Sequence, residues 1–258
     1  MAKLSLLFLG TGSSMGVPVA ACKCSVCQSS NPHNRRSRPG YLIQYQNKTL
    51  LIDASQDFRS QALAFGISHL DGVFITHAHH DHTAGIDDLR AYTCGRKILP
   101  LLMSRSCYDD LSVRYHYIFE PTHKTLSSVT KSEVHYVPPE GGAVSFAGLE
   151  LYTFPFYQMG MRVDGLRIGN FAFVSDIKEY DEEIFNHLKG VEVLLISALR
   201  EESSPIHFNV EDSISFSRKV GANRTYFVHI AHEVEHEALQ KKLPFGFFLA
   251  YDGLKIEA

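Results

Sequence analysis

The 258-residue sequence is 45% hydrophobic and 21% charged, an ordinary globular mixture with ample material for a core. Its formal charge of -3 excludes a global basic field that would gather nucleic acid, while leaving room for a small phosphate-bearing molecule held by local charges. No stretch reaches the ~20 apolar residues needed to cross a bilayer, and the apolar start Leu4–Leu9 is too short for a signal core, so a cytoplasmic protein is expected.

In chain order, the first ten residues read as a buried strand that ends in the turn Gly10-Thr11-Gly12-Ser13-Ser14. Residues 18–40 are irregular and carry three of the five cysteines, an odd count that does not suggest a disulfide framework. Tyr41–Tyr45 and Thr49–Ile52 form an expected hairpin that delivers Asp53 at its end. The short apolar strand Gly72–Thr76 runs straight into a histidine-rich segment. A helix over Gly85–Tyr92, a strand over Ile98–Met103 and a helix after Ser104 follow. Residues 115–132 lack a period and read as a loop or cap, with the aromatic run Tyr115–Phe119 at its start. Strands are then expected at Glu133–Val137, Val144–Phe154 and Phe171–Val174, the last leading into Ser175-Asp176. A helix over Asp181–Leu188, a strand over Val191–Ile196 and a helix over Val210–Val220 with Asn209 as N-cap come next. The strand Tyr226–Val228 ends at His229, and a helix over Glu233–Lys242 and two short strands close the chain. Without an internal repeat or linker, residues 1–258 read as a single domain.

Asp53, His77, Asp176 and His229 each follow an apolar strand, an arrangement that lets a rigid scaffold gather distant side chains. The segment His77-Ala78-His79-His80-Asp81-His82 offers four ligands that no regular helix or strand can aim one way. A loop can splay His77 and His79 toward one ion and Asp81 and His82 toward a second, with Asp176 as a bridging carboxylate. The alternative is a solvated polar loop, and His80 is expected to point away from the ions. Imidazole and carboxylate suit zinc, manganese or iron without choosing among them. In Cys22-x-Cys24-x-x-Cys27 the spacing allows three thiolates to wrap one zinc, which wants a fourth ligand; three reduced cysteines or a catalytic thiol are the other readings. Cys94 and Cys107 read as ordinary core cysteines.

His77-x-His79-x-Asp81-His82, with Asp53 before it and Asp176 and His229 after it, resembles the metallo-β-lactamase-fold hydrolases over nearly the whole chain. That resemblance implies a four-layer αββα sandwich with one or two divalent ions at its rim, ligated by His77, His79, Asp81, His82, Asp176 and His229. It makes Asp53 an acid that orients a ligand. The family usually supplies one more histidine, and here Gln158 stands in its place, so the His77/His79 ion is expected to bind more weakly. The cysteine loop behind a Gly-Thr-Gly strand is similar to that of the PhnP-type phosphodiesterases, a likeness that implies His232 as the fourth ligand of a structural zinc. It also makes His207 a catalytic histidine that assists the leaving oxygen. Arg35, Arg36 and Arg38 form a compact positive run, read equally as phosphate-binding or solvated. His236 is left out of the metal sets, and His33, His69, His116, His123, His135 and His187 read as isolated.

The expected function is hydrolysis of a small, cyclic phosphodiester through a metal-activated hydroxide, with Asp81 holding the nucleophile. The expected partner is that small phosphate ester, with no stable nucleic acid, no membrane and, by analogy, a homodimer. The alternatives are a tRNA-processing-type nuclease of the same superfamily, a relative of the PQQ-type cofactor-biosynthesis proteins, or a metal-binding scaffold with little activity.

Overall fold

The computed structural model describes residues 3–119 and 132–258, with the side chains of residues 94–96 left out. Much of the expected cap, with His123, and the Cys94 side chain lie outside the described residues.

Two seven-stranded sheets face each other. The first takes β1 (Ser5–Gly10), β2 (Gly40–Tyr45), β3 (Lys48–Ile52), β4 (Gly72–Phe74), β5 (Leu99–Met103) and β6 (Ser132–Tyr136) in that order. The second runs from β7 (Gly142–Phe146) through β8 (Leu149–Gln158), β9 (Met161–Ile168), β10 (Phe171–Val174), β11 (Val193–Ser197) and β12 (Arg224–Val228) to β13 (Phe247–Leu249). The last strand, β14 (Lys255–Glu257), returns to pair with β1. Each sheet is antiparallel in its early part and parallel from β3 to β6 or from β10 to β13.

Strand alternation fixes the layers. In β11, Val193 and Leu195 point into the core between the sheets, while Leu194 and Ile196 face outward. Phe8, Tyr41, Ile52, Leu166, Phe173 and Val228 fill the inner core. On the outside of the first sheet, Leu51, Val73 and Leu101 pack with Phe58 of α1 (Phe58–Ala64). The short α2 spans His80–Thr83, and a 3-10 helix, Ile86–Arg96, adds Ile86 and Leu89 to the same outer layer. So does α3 (Arg105–Arg114), through Cys107 and Leu111; α4 (His116–Phe119) follows it. Outside the second sheet lie Ile184 of α5 (Ile184–His187), Ile214 and Phe216 of α6 (Val210–Val220) and Leu239 of α7 (His236–Lys242). The result is the αββα sandwich.

Several local expectations shift. The single strand expected over Val144–Phe154 is two strands, because Ala147 and Gly148 take φ of 52° and 81° and turn the chain into a hairpin. The Asp181–Leu188 helix contracts to one turn, and the final helix starts at His236 behind Glu235 as N-cap. Residues 86–96 are 3-10 rather than α-helical. The sequence reading gave no sign of α1 or β9. At Gln46 and Asn47, both φ values are positive, the geometry a two-residue hairpin demands. Asn209 caps α6 in a reciprocal capping box with Asp212.

Candidate metal centre

The parallel strands open onto one rim. β3 leads into Asp53, β4 toward His77, β10 toward Asp176 and β12 into His229. Asp53, Asp176 and His229 take left-handed backbone, with φ of 59°, 63° and 57°. For a residue with a Cβ this costs about 1–2 kcal/mol, and it persists where the surroundings over-determine it. The Asp53 N–H is fixed by the Phe74 carbonyl at 2.9 Å, and the Asp176 N–H by the Ser197 hydroxyl at 3.0 Å.

The hydrogen bonds behind the cluster decide which nitrogens face it. His82 Nδ1 donates to Asp53 Oδ2 at 2.7 Å, leaving Nε2 for the centre. Thr76 Oγ1 lies 3.1 and 3.0 Å from the two Asp53 oxygens and 2.9 Å from His77 Nδ1. A hydroxyl has one proton; given to the carboxylate, it leaves Oγ1 to accept from His77 Nδ1–H, so His77 also presents Nε2. Asp53 therefore touches the cluster only through His82 and Thr76.

At the centre, His77 Nε2 is 3.1 Å from His79 Nδ1. His82 Nε2 stands 3.3 Å from Asp176 Oδ2 and 3.4 Å from Asp81 Oδ2. His229 Nε2 stands 3.1 Å from Asp176 Oδ1 and 3.4 Å from Asp81 Oδ2. Two atoms bound ~2.1 Å from one ion are about 3.0 Å apart in an octahedron and about 3.4 Å in a tetrahedron, so these spacings fit a divalent ion. Among the described residues, the buried His82 Nε2 and Gln158 Oε1 have no hydrogen-bond partner, which also fits a cation. His82 groups both with His77 and Asp176 and with Asp81 and His229, so it joins the two halves that the sequence separates. His80 is exposed, as expected.

The electrostatics point the same way. Burial pushes the Asp81 and Asp176 carboxyls up, but the His82 and His229 imidazoles outweigh it and hold both well below the usual carboxylate range. Burial pulls His82 down, and Asp81, Asp176 and Asp53 more than reverse that, raising it well above the ordinary imidazole value. His229 is raised against the same opposition by Asp176 and Asp81. Burial and the His82 charge hold His77 neutral. Without metal, the imidazoles and carboxylates thus favour each other's charged forms.

Gln158 and His207 come together, which sequence reasoning missed. Gln158 Nε2 lies 3.1 and 3.0 Å from the two nitrogens of the His207 ring. In the ring plane it would collide with the carbon between them, so the amide covers the ring face. His207 Nδ1 is also 3.3 Å from Asp176 Oδ1. Burial lowers the His207 ring to about 4. Only the placement of both residues next to strand or helix ends could have hinted at this pairing.

The thiolate cluster lies nearby. The Sγ atoms of Cys22, Cys24 and Cys27 stand 3.4, 3.5 and 3.6 Å from His232 Nδ1. A tetrahedral zinc with ordinary bond lengths sets sulfur and nitrogen roughly 3.6 Å apart, so the four residues fit it. The Cys27 N–H and His232 draw the Cys24 thiol down to about 6, while burial pushes Cys27 up to about 11. Cys107 is buried, and burial raises its thiol, as in an inert core cysteine. His236 Nδ1 faces the Arg36 guanidinium at 2.9 Å, a poor neighbour for a cation. No helix among the described residues is long and apolar enough to cross a membrane.

Comparison with known proteins agrees with this geometry. The family model for the beta-lactamase superfamily domain matches residues 48–230. A crystal structure described as a new diphosphatase from the PhnP family is 36% identical, covers 99% of this chain and 98% of its own, and superposes with a TM-score of 0.90. The octanoyltransferase of Porphyromonas gingivalis is 34% identical over 96% of this chain, which spans only 50% of that relative's length. The zinc-bound PqqB of Methylobacterium extorquens shares the fold, at 19% identity and a TM-score of 0.77 over 98% of this chain and 100% of its own. The fold implies divalent metal ions. The chain belongs to the beta-lactamase superfamily, as a metallo-β-lactamase-fold hydrolase akin to the PhnP family.

Proposed function

We propose that the chain hydrolyses a small phosphodiester at phosphorus, using ions held by His77, His79, Asp81, His82, Asp176 and His229, with Gln158 at the edge of the set. The observation that carries this reading is the convergence of buried imidazoles and carboxylates at ligand spacing. The 36% identity to a diphosphatase supports it. Bound divalent ions polarise a phosphoryl oxygen and lower the pKa of water toward ~7. Asp81, kept ionised, accepts a hydrogen bond from the attacking water and aligns it. Asp176 reaches both sides of the cluster, Oδ1 toward His229 and Oδ2 toward His82. His207, held neutral by burial at about 4, offers a ring N–H to the leaving oxygen, a contact that strengthens as charge gathers there. Cys22, Cys24, Cys27 and His232 hold a structural zinc.

The substrate class is a phosphorus with two oxygen substituents, one of which leaves. A ribose cyclic phosphate and a diphosphate-linked diester both qualify. With a net charge of -3, no stable complex with nucleic acid is expected. Assays of bis(4-nitrophenyl) phosphate, a ribose cyclic phosphate, a dinucleoside diphosphate and RNA with Mn²⁺, Zn²⁺ or Fe²⁺ test the proposal. Cleavage of the small diesters without RNA supports it; no phosphodiesterase activity with any ion sinks it. A second reading, favoured by the octanoyltransferase relative, is an acyl ester substrate. Hydrolysis of 4-nitrophenyl octanoate in place of the phosphate diesters would select it.

A further inference from the structure

The sulfurs of the thiolate cluster are unevenly protected. Cys22, Cys24 and Cys27 are all free; Cys27 is buried, while Cys22 and Cys24 are only half-buried. The thiolate is the form of cysteine that reacts with oxidants, and zinc keeps its sulfurs in that form. Access then decides which sulfur reacts first. An oxidant arriving from solvent meets Cys22 and Cys24 before Cys27.

Cys24 and Cys27 are also placed to join. The Gln28 N–H donates to the Cys24 carbonyl at 3.0 Å, which closes residues 24–28 into one helical turn. Cα atoms three residues apart on such a turn are about 5 Å apart, inside the roughly 4.4–6.8 Å that a disulfide spans. The Cys27 N–H donates to Cys24 Sγ at 3.4 Å, so the Cys24 sulfur already lies against the residue it would bridge. Cys22 and Cys24 are separated by a single residue, and a bridge between them would close a much tighter ring.

The catalytic rim does not lean on these sulfurs. The Ile230 N–H donates to the Thr11 carbonyl at 2.9 Å, the Ser13 N–H to the Ile230 carbonyl at 3.0 Å, and the Ala231 N–H to the Leu199 carbonyl at 2.9 Å. Those bonds hold the segment between His229 and His232. Further along the loop, Asn34 donates to Glu235 at 2.8 Å and accepts from the His236 N–H at 2.9 Å. Loss of the zinc therefore frees the stretch around the cysteines and leaves both its flank and the metal centre in place.

We propose that Cys24 and Cys27 form a reversible oxidation site, where a peroxide turns two zinc-bound thiolates into a disulfide and expels the zinc. The inference rests on the zinc assigned to Cys22, Cys24, Cys27 and His232, and not on the phosphodiesterase reading. The Cys24 thiolate attacks one oxygen of hydrogen peroxide; an S–O bond forms, the O–O bond breaks, and hydroxide leaves. The Cys27 thiolate then attacks the Cys24 sulfur of that sulfenic acid; the S–S bond forms, the S–O bond breaks, and a second hydroxide leaves. Each sulfur gives up one electron, and the peroxide takes both. A neutral disulfide is a poor zinc ligand, so only Cys22 and His232 remain and the ion departs. A dithiol reverses the step.

Hydrogen peroxide added to the full chain tests this, with Mn²⁺ in the histidine–carboxylate cluster so that zinc reports the thiolate site alone. Released zinc is read with a chromogenic chelator, and bridges are mapped by mass spectrometry of alkylated peptides. One zinc should be lost for each Cys24–Cys27 bridge formed, with Mn²⁺ retained and the buried Cys107 still reduced. Dithiothreitol and added zinc should restore the starting state. In Cys27→Ser the Cys24 sulfenic acid has no partner to close on, and dimedone should capture it. If that variant fails to fold, the bridge map of the natural chain still decides. Zinc and thiols that survive excess peroxide overturn the inference, and so does a bridge to Cys22. A chain that takes up no zinc at these cysteines would overturn the zinc assignment instead; the Cys24–Cys27 bridge should form even then, which separates the two failures.

Discussion

The histidine–carboxylate cluster and the thiolate cluster meet within three residues, at His229 and His232, yet they are built in opposite ways. The first is buried apart from the exposed His79 and assembled from the ends of β3, β4, β10 and β12, with three ligating or orienting residues in left-handed backbone. The Nδ1 atoms of His82 and His77 are occupied by Asp53 and Thr76, which fixes these two rings before any ion arrives. The second comes from one irregular loop and a single partner side chain, and Cys22 and Cys24 are only partly buried. No strand holds them in place. A rigid centre suits chemistry, because ligands that do not move hold a reacting group in one geometry. A loop centre suits folding, because the ion supplies the order that the chain lacks.

This contrast can be broken by experiment. The largest effect is expected from Asp176→Ala, which removes the carboxylate shared by both sides of the rigid cluster. Hydrolysis should fall by on the order of 10³, with loss of the catalytic ions but retention of one zinc per chain by elemental analysis. Loss of all metal would show that the two centres are not independent. Cys24→Ser should do the reverse: it should release the structural zinc and lower stability by about 4 kcal/mol, read by chemical denaturation. Unchanged stability would mean that the loop orders itself.

A smaller effect is expected from Asp53→Asn, which removes the anchor of His82 without touching the centre. Affinity for the catalytic ions should weaken by about 10- to 100-fold, measured by competition with a chelator, with the thiolate zinc unaffected. The pH dependence follows from the raised His82 and His229 values. Both rings hold a proton more tightly than a free imidazole, and an ion must displace it, so metal uptake should release protons and strengthen as pH rises. Titration in buffers of different ionisation enthalpy counts them; uptake without proton release contradicts the raised imidazoles of the metal-free centre. For the metal-free protein the sign reverses. The raised imidazoles stabilise the fold below their ordinary value, and this contribution is lost as pH rises through the raised one. The depressed Asp81 and Asp176 contribute above the ordinary carboxylate range and are lost as pH falls through their lowered values. At the thiolate cluster, alkylation of Cys24 in zinc-stripped protein should turn on near pH 6, and added zinc should block it.

The sequence made the rigid cluster unusually legible. Asp53, His77, Asp176 and His229 each follow an apolar run, and a run that stops at an acid or imidazole marks a strand end even when its exact bounds are wrong. The cysteine spacing was equally plain, while His232 came only through family resemblance. What stayed hidden depends on approach between distant segments. Nothing local to Gln158 or His207 says that the amide will lie across the ring, because β8 and the segment before α6 meet only in the folded sheet. The hairpin at Ala147 and Gly148 was masked by apolar residues on both sides. Arg36 looks like one of three surface charges until the chain buries it against Thr11 and Ala250.

The most direct test of the account follows hydrolysis of bis(4-nitrophenyl) phosphate as ions are returned to protein that holds only its thiolate zinc. The starting state should be inactive with one zinc per chain, and activity should rise as further Mn²⁺, Zn²⁺ or Fe²⁺ binds. Full activity with the single zinc, or none after the histidine–carboxylate cluster is filled, would contradict it.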